Sequence, residues 1–261
     1  MLTSRQQHCL RGIGIRHRPR SRAAVEAARE PLPSGSEAID LALKQIEKLP
    51  AKGAKPLESR EEESPAQPGL DPPQNLSLEN WDEITRSIQQ CTACELARNC
   101  SQKVPGVGDR QADLMIIGEG PGHDEDIQGE PFVGRSGQLL DKMLAAIGID
   151  RDQVFITNIV KCRPPNNRDP KQQEAQQCRA FLEAQIGRVK PRVILSVGRV
   201  SAQSLLDTKQ PVGKLIKQMH QLPGTDIPLK VTYHPAYLLR TPSAKAIVWQ
   251  DLKQLHQILN R

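Results

Sequence analysis

Residues 114–147 read LMIIGEGPGHDEDIQGEPFVGRSGQLLDKMLAAI, and the order of patterns within them decides the fold class. Residues 114–117 are an unbroken apolar run, as expected of a strand buried on both faces, and from residue 138 the apolar positions recur at helical spacing. The twenty residues between, 118–137, form a long strand-to-helix connection. At the carboxyl end of a parallel strand, that is where open α/β sheets bind ligands. Gly118, Gly120 and Gly122 let backbone approach a ligand closely, and Pro121 fixes φ and removes a donor. Glu119, Asp124, Glu125, Asp126 and Glu130 crowd charge among those glycines, followed by one aromatic residue, Phe132.

Working outward, strand patterns at 113–117, 154–160, 192–197 and 229–233 alternate with helical patterns at 136–147, 170–189, 200–206 and 243–259. That alternation predicts an α/β fold, a three-layer α/β/α sandwich around a central four-stranded parallel sheet. Every Phe, Tyr and Trp of the 261 residues lies at or after Trp81. The core therefore belongs to a domain spanning 77–261. It opens with a cap-like Ser77 and a helix that delivers Cys91 and Cys94.

Residues 1–76 read as a low-complexity extension without fixed structure, with one short amphipathic helix at 36–49 and a Pro-rich linker after it. The first 22 residues hold six Arg, two His and no acid. Such a segment suits organelle targeting, a nucleic-acid-binding arm or a bare extension. No apolar run approaches the ~20 residues of a membrane span, so a soluble chain without a membrane partner is expected. The formal net charge of +6 permits a phosphate-facing groove without demanding one.

Cys91 and Cys94 form a C-x-x-C pair, and Cys162 and Cys178 follow on a strand end and the next helix. Four thiolates suit either Zn²⁺ or a [4Fe–4S] cluster, and spacing alone leaves both open, beside plain burial and redox use. Cys100 lies near the pair with no partner of its own. His234 follows a strand and precedes Pro235 at the same sheet edge as the 118–137 connection. Asn158 is an amide within FITNIVK, where burial obliges it to find hydrogen-bond partners. Taken alone, each has an ordinary structural explanation.

Together these features strongly resemble the family 4 uracil-DNA glycosylases. The resemblance rests on GEGPG with Glu125 and Asp126, GEPFVGRSG at 129–137, TNIVKCRPP at 157–165, the four cysteines and HPA at 234–236. It covers about residues 85–258 and does not reach 1–76. It implies a monofunctional hydrolase that flips uracil out of DNA and cleaves its N-glycosidic bond in base excision repair, leaving an abasic site. It also implies one structural [4Fe–4S] cluster on Cys91, Cys94, Cys162 and Cys178.

By the same resemblance Glu119 and His234 are catalytic, and Gly118, Gly120, Phe132, Asn158 and His234 hold uracil. Arg135 and Arg240 face DNA, and Leu238 or Leu239 wedges into the gap left by the flipped base. Gly120 stands where family members often carry Ala. Glu119 separates the chain from family 5, whose first motif lacks the acid. The basic insertion of covalently trapping relatives is absent, because Cys162 runs directly into RPPNNRDP. A monomer in the cytoplasm, with the nucleoid, is expected, and repair or replication partners are unnamed by the sequence. Two other readings stand behind this one: a non-catalytic DNA-binding module of the same fold associated with replication, and a redox protein using the C-x-x-C pair.

Overall fold

A computed structural model of the chain describes residues 80–260, so the extension 1–76, its expected helix at 36–49 and the cap at Ser77 lie outside the described residues. Helix α1 (Trp81–Gln90) is capped by Asn80, whose side chain accepts from the Glu83 amide at 3.0 Å. It buries Ile84 and Ile88 completely, each contributing roughly 1.5–3 kcal/mol, and ends at Cys91. A single turn, α2 (Leu96–Asn99), follows.

The sheet then forms from β1 (Val107–Gly108), β2 (Leu114–Gly118), β3 (Phe155–Asn158), β4 (Val193–Val197), β5 (Met219–Gln221) and β6 (Pro228–Thr232). Its order is β1-β3-β2-β4-β6-β5. The expected four strands are the central parallel set β3-β2-β4-β6. Two antiparallel edge strands, β1 and β5, extend that expectation. At two and three residues, neither is long enough to show a strand period in the sequence.

Between β2 and β3 lie α3 (His123–Gln128) and α4 (Arg135–Ala146). Then come α5 (Gln172–Val189), α6 (Arg199–Leu205), α7 (Val212–Leu215), α8 (Pro235–Arg240) and α9 (Lys245–Leu259). Alternate strand residues feed two separate cores. Met115, Ile117 and Ile194 pack with α1, α5 and α6, whereas Leu114, Ile116 and Leu195 pack with α4, α8 and α9. Because both faces are covered, the central strands are buried on both sides, and even the polar Lys230 and Thr232 of β6 are buried. No helix among the described residues is long and apolar enough to cross a membrane.

The parallel register sets Gly118 opposite Asn158 at the carboxyl ends of β2 and β3. Strand β3 stops at Asn158, short of the expected 160, as the chain peels away while Ile159 N still donates to Gly118 O at 3.0 Å.

Candidate active site

The connection between β2 and α4 is not one open loop, because α3 folds within it. Glu125, 9 % exposed, holds it together: Oε1 accepts from the amides of Val133 (3.0 Å) and Gly134 (3.1 Å), and Oε2 accepts from Gly122 (3.1 Å). Asp126 accepts from the Ser101 amide at 2.9 Å. Two of the crowded acids are thus spent on shaping the connection. Phe132 is held at φ +54°, an uncommon conformation for a bulky residue. Arg151 fixes it by donating to the carbonyls of Pro131 and Phe132, and is itself oriented by Asp141 at 3.0 Å. Gly137 makes room for this bend, since a Cβ there would stand 1.7 Å from the Phe132 carbonyl oxygen.

Phe132, Asn158 and His234, from three distant parts of the chain, meet at the sheet edge together with Glu119. The Phe132 and His234 rings lie 5.6 Å apart, centre to centre, and 26° from parallel. Gly118 packs against Phe132 and Asn158: a Cβ there would come 2.7 Å from Phe132 Cε2 and Cζ and collide with Asn158 Oδ1. Asn158 is 2 % exposed, and no described residue hydrogen-bonds its carboxamide, although its backbone carbonyl accepts from Lys161 Nζ at 2.9 Å. The carboxamide opens into a cleft of about 1000 Å³ that Glu119, Gly120, Phe132 and His234 also line.

His234 caps α8 by accepting the Ala236 amide on Nδ1 at 3.1 Å, which leaves Nε2 as the protonated nitrogen of the neutral ring. Withdrawal from water pushes its pKa down to about 4. Arg240 acts in the same direction, and Glu125 and Asp169 act against it. Glu119 Oε1 accepts from the backbone amides of Val200, at 2.9 Å, and Arg199. Burial raises its pKa above the ordinary carboxylate value, more than those amides lower it. The site therefore favours a neutral imidazole donor, and burial works against the charged form of Glu119, which two backbone amides partly offset.

On the rim, Arg135, Arg240 and Leu239 line the cleft and face solvent, Leu239 at 40 % exposure. Leu238 does not: at 1 % exposure it packs in the core with α4 and α9, so of the two leucines expected at the DNA face only Leu239 is available. Successive residues of a helix turn by ~100°, which sends neighbours to opposite sides.

On the far side of β3, Cys91, Cys94, Cys162 and Cys178 line one small cavity, and all are free thiols. Burial pushes the Cys94 and Cys162 thiols up, and that of Cys178 to about 11. Thiolates in such a place call for a compensating cationic centre. No group of three His, Cys, Asp or Glu side chains among the described residues is spaced to hold a single metal ion. Cys100, which the sequence places near the pair without a partner of its own, donates from Sγ to the Ala97 carbonyl at 3.9 Å.

Residues 105–253 match the family model described as the uracil DNA glycosylase superfamily. The chain is similar to the type-4 uracil-DNA glycosylase of Archaeoglobus fulgidus, 38% identical over 190 residues, which are 70% of this chain and 96% of that protein. It is also similar to that of Pyrobaculum aerophilum, 42% identical over 183 residues, 68% and 92% of the two chains. A type-5 uracil-DNA glycosylase of P. aerophilum is more distant, 29% identical over 150 residues, 52% and 66% of the two chains. The chain belongs to the type-4 uracil-DNA glycosylases.

Several residues of this type-4 site gave no signal in the sequence. Arg151 comes from the turn before β3, Arg168 and Arg199 line the cleft, and Lys161 lies under Asn158. Arg168 is gripped by both oxygens of Glu174, at 2.6 and 2.9 Å, and Arg199 by Asp169. Lys161 and the Arg168-Asp169 pair fall within or beside the KCRPPNNRDP run, the one available hint.

Proposed function

We propose that this chain removes uracil from DNA by hydrolysing the bond between uracil N1 and the deoxyribose C1′, leaving an abasic site for base excision repair. The observation that carries this reading is the shared cleft of Glu119, Phe132, Asn158 and His234. A base inside a duplex must be flipped out before chemistry can reach it. Arg135 and Arg240 would grip phosphates on either side, and Leu239 would occupy the vacated stack.

The extruded ring stacks on Phe132. Asn158 donates from its NH₂ to uracil O4 and accepts N3–H. Cytosine presents the opposite pair, and a mismatched bidentate contact of this kind forfeits ~1–3 kcal/mol. When the glycosidic bond breaks, its electron pair leaves with uracil and the sugar becomes oxocarbenium-like. His234 donates from Nε2–H to O2, where the negative charge collects, as an oxyanion donor does. The Glu119 carboxylate stabilises the cationic sugar and orients the water whose oxygen adds to C1′.

Cys91, Cys94, Cys162 and Cys178 would hold a [4Fe–4S] cluster. Bound there, it supplies a cross-link between the end of α1, the segment after β3 and α5, and takes no part in the hydrolysis. The fit rests on four free thiols lining one cavity, Cys162 and Cys178 buried and Cys91 and Cys94 half-buried, beside the family membership.

The test is release of uracil from a uracil-containing oligonucleotide under multiple turnover. Release that falls at least a hundredfold in Glu119→Gln and His234→Ala supports the assignment. Tight DNA binding without any release by the parent chain would leave the non-catalytic binding module instead.

A further inference from the structure

Lys161 is one of the largest fully buried side chains of the described residues, at 1 % exposure, and the hydrolysis gives it no part. Its ammonium has three protons and meets three acceptors: Thr157 Oγ1 at 2.6 Å, Gln185 Oε1 at 2.7 Å and the Asn158 carbonyl at 2.9 Å. Thr157 and Gln185 are anchored in turn on the Pro105 carbonyl, both at 2.8 Å. A buried charge is retained only where its hydrogen bonds are complete, and here one of them falls on the backbone of the residue whose side chain opens into the cleft.

The main chain of Lys161 faces the other way. Its carbonyl accepts from Val104 N at 2.8 Å, while its side chain lines the cysteine cavity together with Cys162 and Cys178. One residue therefore spans from the four thiols to the end of β3, where Asn158 is the last residue in register with β2 and only the amides of Ile159 and Val160, donating to the Gly118 and Glu119 carbonyls at 3.0 and 3.3 Å, continue the ladder.

We propose that Lys161 is the positioning residue for base selection: by tying the Asn158 carbonyl to the framework beside the four cysteines, it sets the angle at which the carboxamide meets uracil. Lys161 touches neither base nor sugar. It acts through Asn158, so the inference rests on the role given to that residue above. Only the contacts to O4 and N3–H depend on this angle, and stacking on Phe132 and contacts to the phosphates do not.

The test compares two ligands of the full-length protein, free uracil as a competitive inhibitor and DNA bearing an abasic site, which presents no base to Asn158. In Lys161→Met, which keeps the length of the chain and removes the charge, the uracil Ki is expected to rise about tenfold while the Kd for abasic-site DNA stays within twofold. Thr157→Val and Gln185→Leu each remove one acceptor and leave Lys161 in place. Each should raise the uracil Ki about threefold, and they carry the test if the methionine variant fails to fold.

A uracil Ki unchanged in the folded variants overturns the proposal, as does an equal weakening of both ligands, the mark of a merely structural role. Asn158→Ala is measured alongside. If its uracil Ki is also unchanged, it is the reading of Asn158 that has failed. If it rises while the Lys161, Thr157 and Gln185 variants stay at the parental value, only the present inference has.

Discussion

Gly118→Ala adds one carbon against Phe132 and Asn158, which line the cleft, and nothing else. Gly118 lies in a strand and outside the left-handed region, so alanine is acceptable to the backbone. The new Cβ would sit 2.7 Å from two Phe132 ring carbons, where carbon atoms in contact prefer 3.5–4.0 Å. About 1 Å of retreat is needed, and neither neighbour can supply it. The Phe132 carbonyl accepts from Arg151 at 3.2 Å and lies against Gly137, and the Asn158 carbonyl is held by Lys161 at 2.9 Å. Overpacking of this kind costs roughly 1–3 kcal/mol. If it falls on the productive pose of uracil, it corresponds to about 5- to 150-fold in kcat/KM. Uracil release under single turnover, beside a thermal unfolding curve, measures the effect on catalysis and on stability. Parental kcat/KM in folded Gly118→Ala would refute the reasoning, because it would mean that uracil does not occupy the space between Phe132 and Asn158.

The remaining predictions address other parts of the site. Asn158→Asp replaces the NH₂ donor with an acceptor, so the uracil-to-cytosine preference should narrow by tenfold or more; parallel release assays on the two substrates would show an unchanged ratio if the amide does not select. Arg151→Met leaves the Pro131 and Phe132 carbonyls without their donor, at a cost of about 1–3 kcal/mol, and should lower kcat/KM about tenfold with abasic-site binding intact. His234 binds its proton less tightly folded (about 4) than unfolded (~6.5), so its contribution to stability is full above the unfolded value and disappears as pH falls through 4. On the order of 2 kcal/mol should be lost over that window, and His234→Gln should flatten this part of a Tm-against-pH curve; Glu119, raised, has the opposite sign, its stabilising effect declining as pH rises above the ordinary carboxylate value. Anaerobically purified protein should contain about four irons and four sulfides per chain and absorb visible light, and Cys178→Ala should lose both; stoichiometric zinc with full activity would dismiss the cluster.

Much of the architecture was legible because long apolar runs separated by helical periods leave few alternatives to a parallel sheet. The central strands, the flanking helices and the residue types facing the cleft came from that pattern and from the motifs of the family. The short elements escaped it. Strands β1 and β5 are two and three residues long, and α3 lies in a stretch of acids and glycines that reads as loop. Leu238 and Leu239 are alike in the sequence, and the orientation of α8 alone separates core from surface.

The amino-acid sequence by itself placed an acid, an aromatic ring, an amide and an imidazole at the same edge of a parallel sheet, since each lies at the carboxyl end of a strand or in the connection that leaves it. Tertiary structure alone decided how they are held: Glu125 shaping the connection, Arg151 bending Phe132, Lys161 supporting Asn158. In the contacts to Gly134, Phe132 and Asn158 these partners are 9, 19 and 3 residues away from the groups they hold. Their roles depend on where polar atoms converge once the chain is packed, and a buried charge finds its acceptors by distance in space, which periodicity along the chain does not encode.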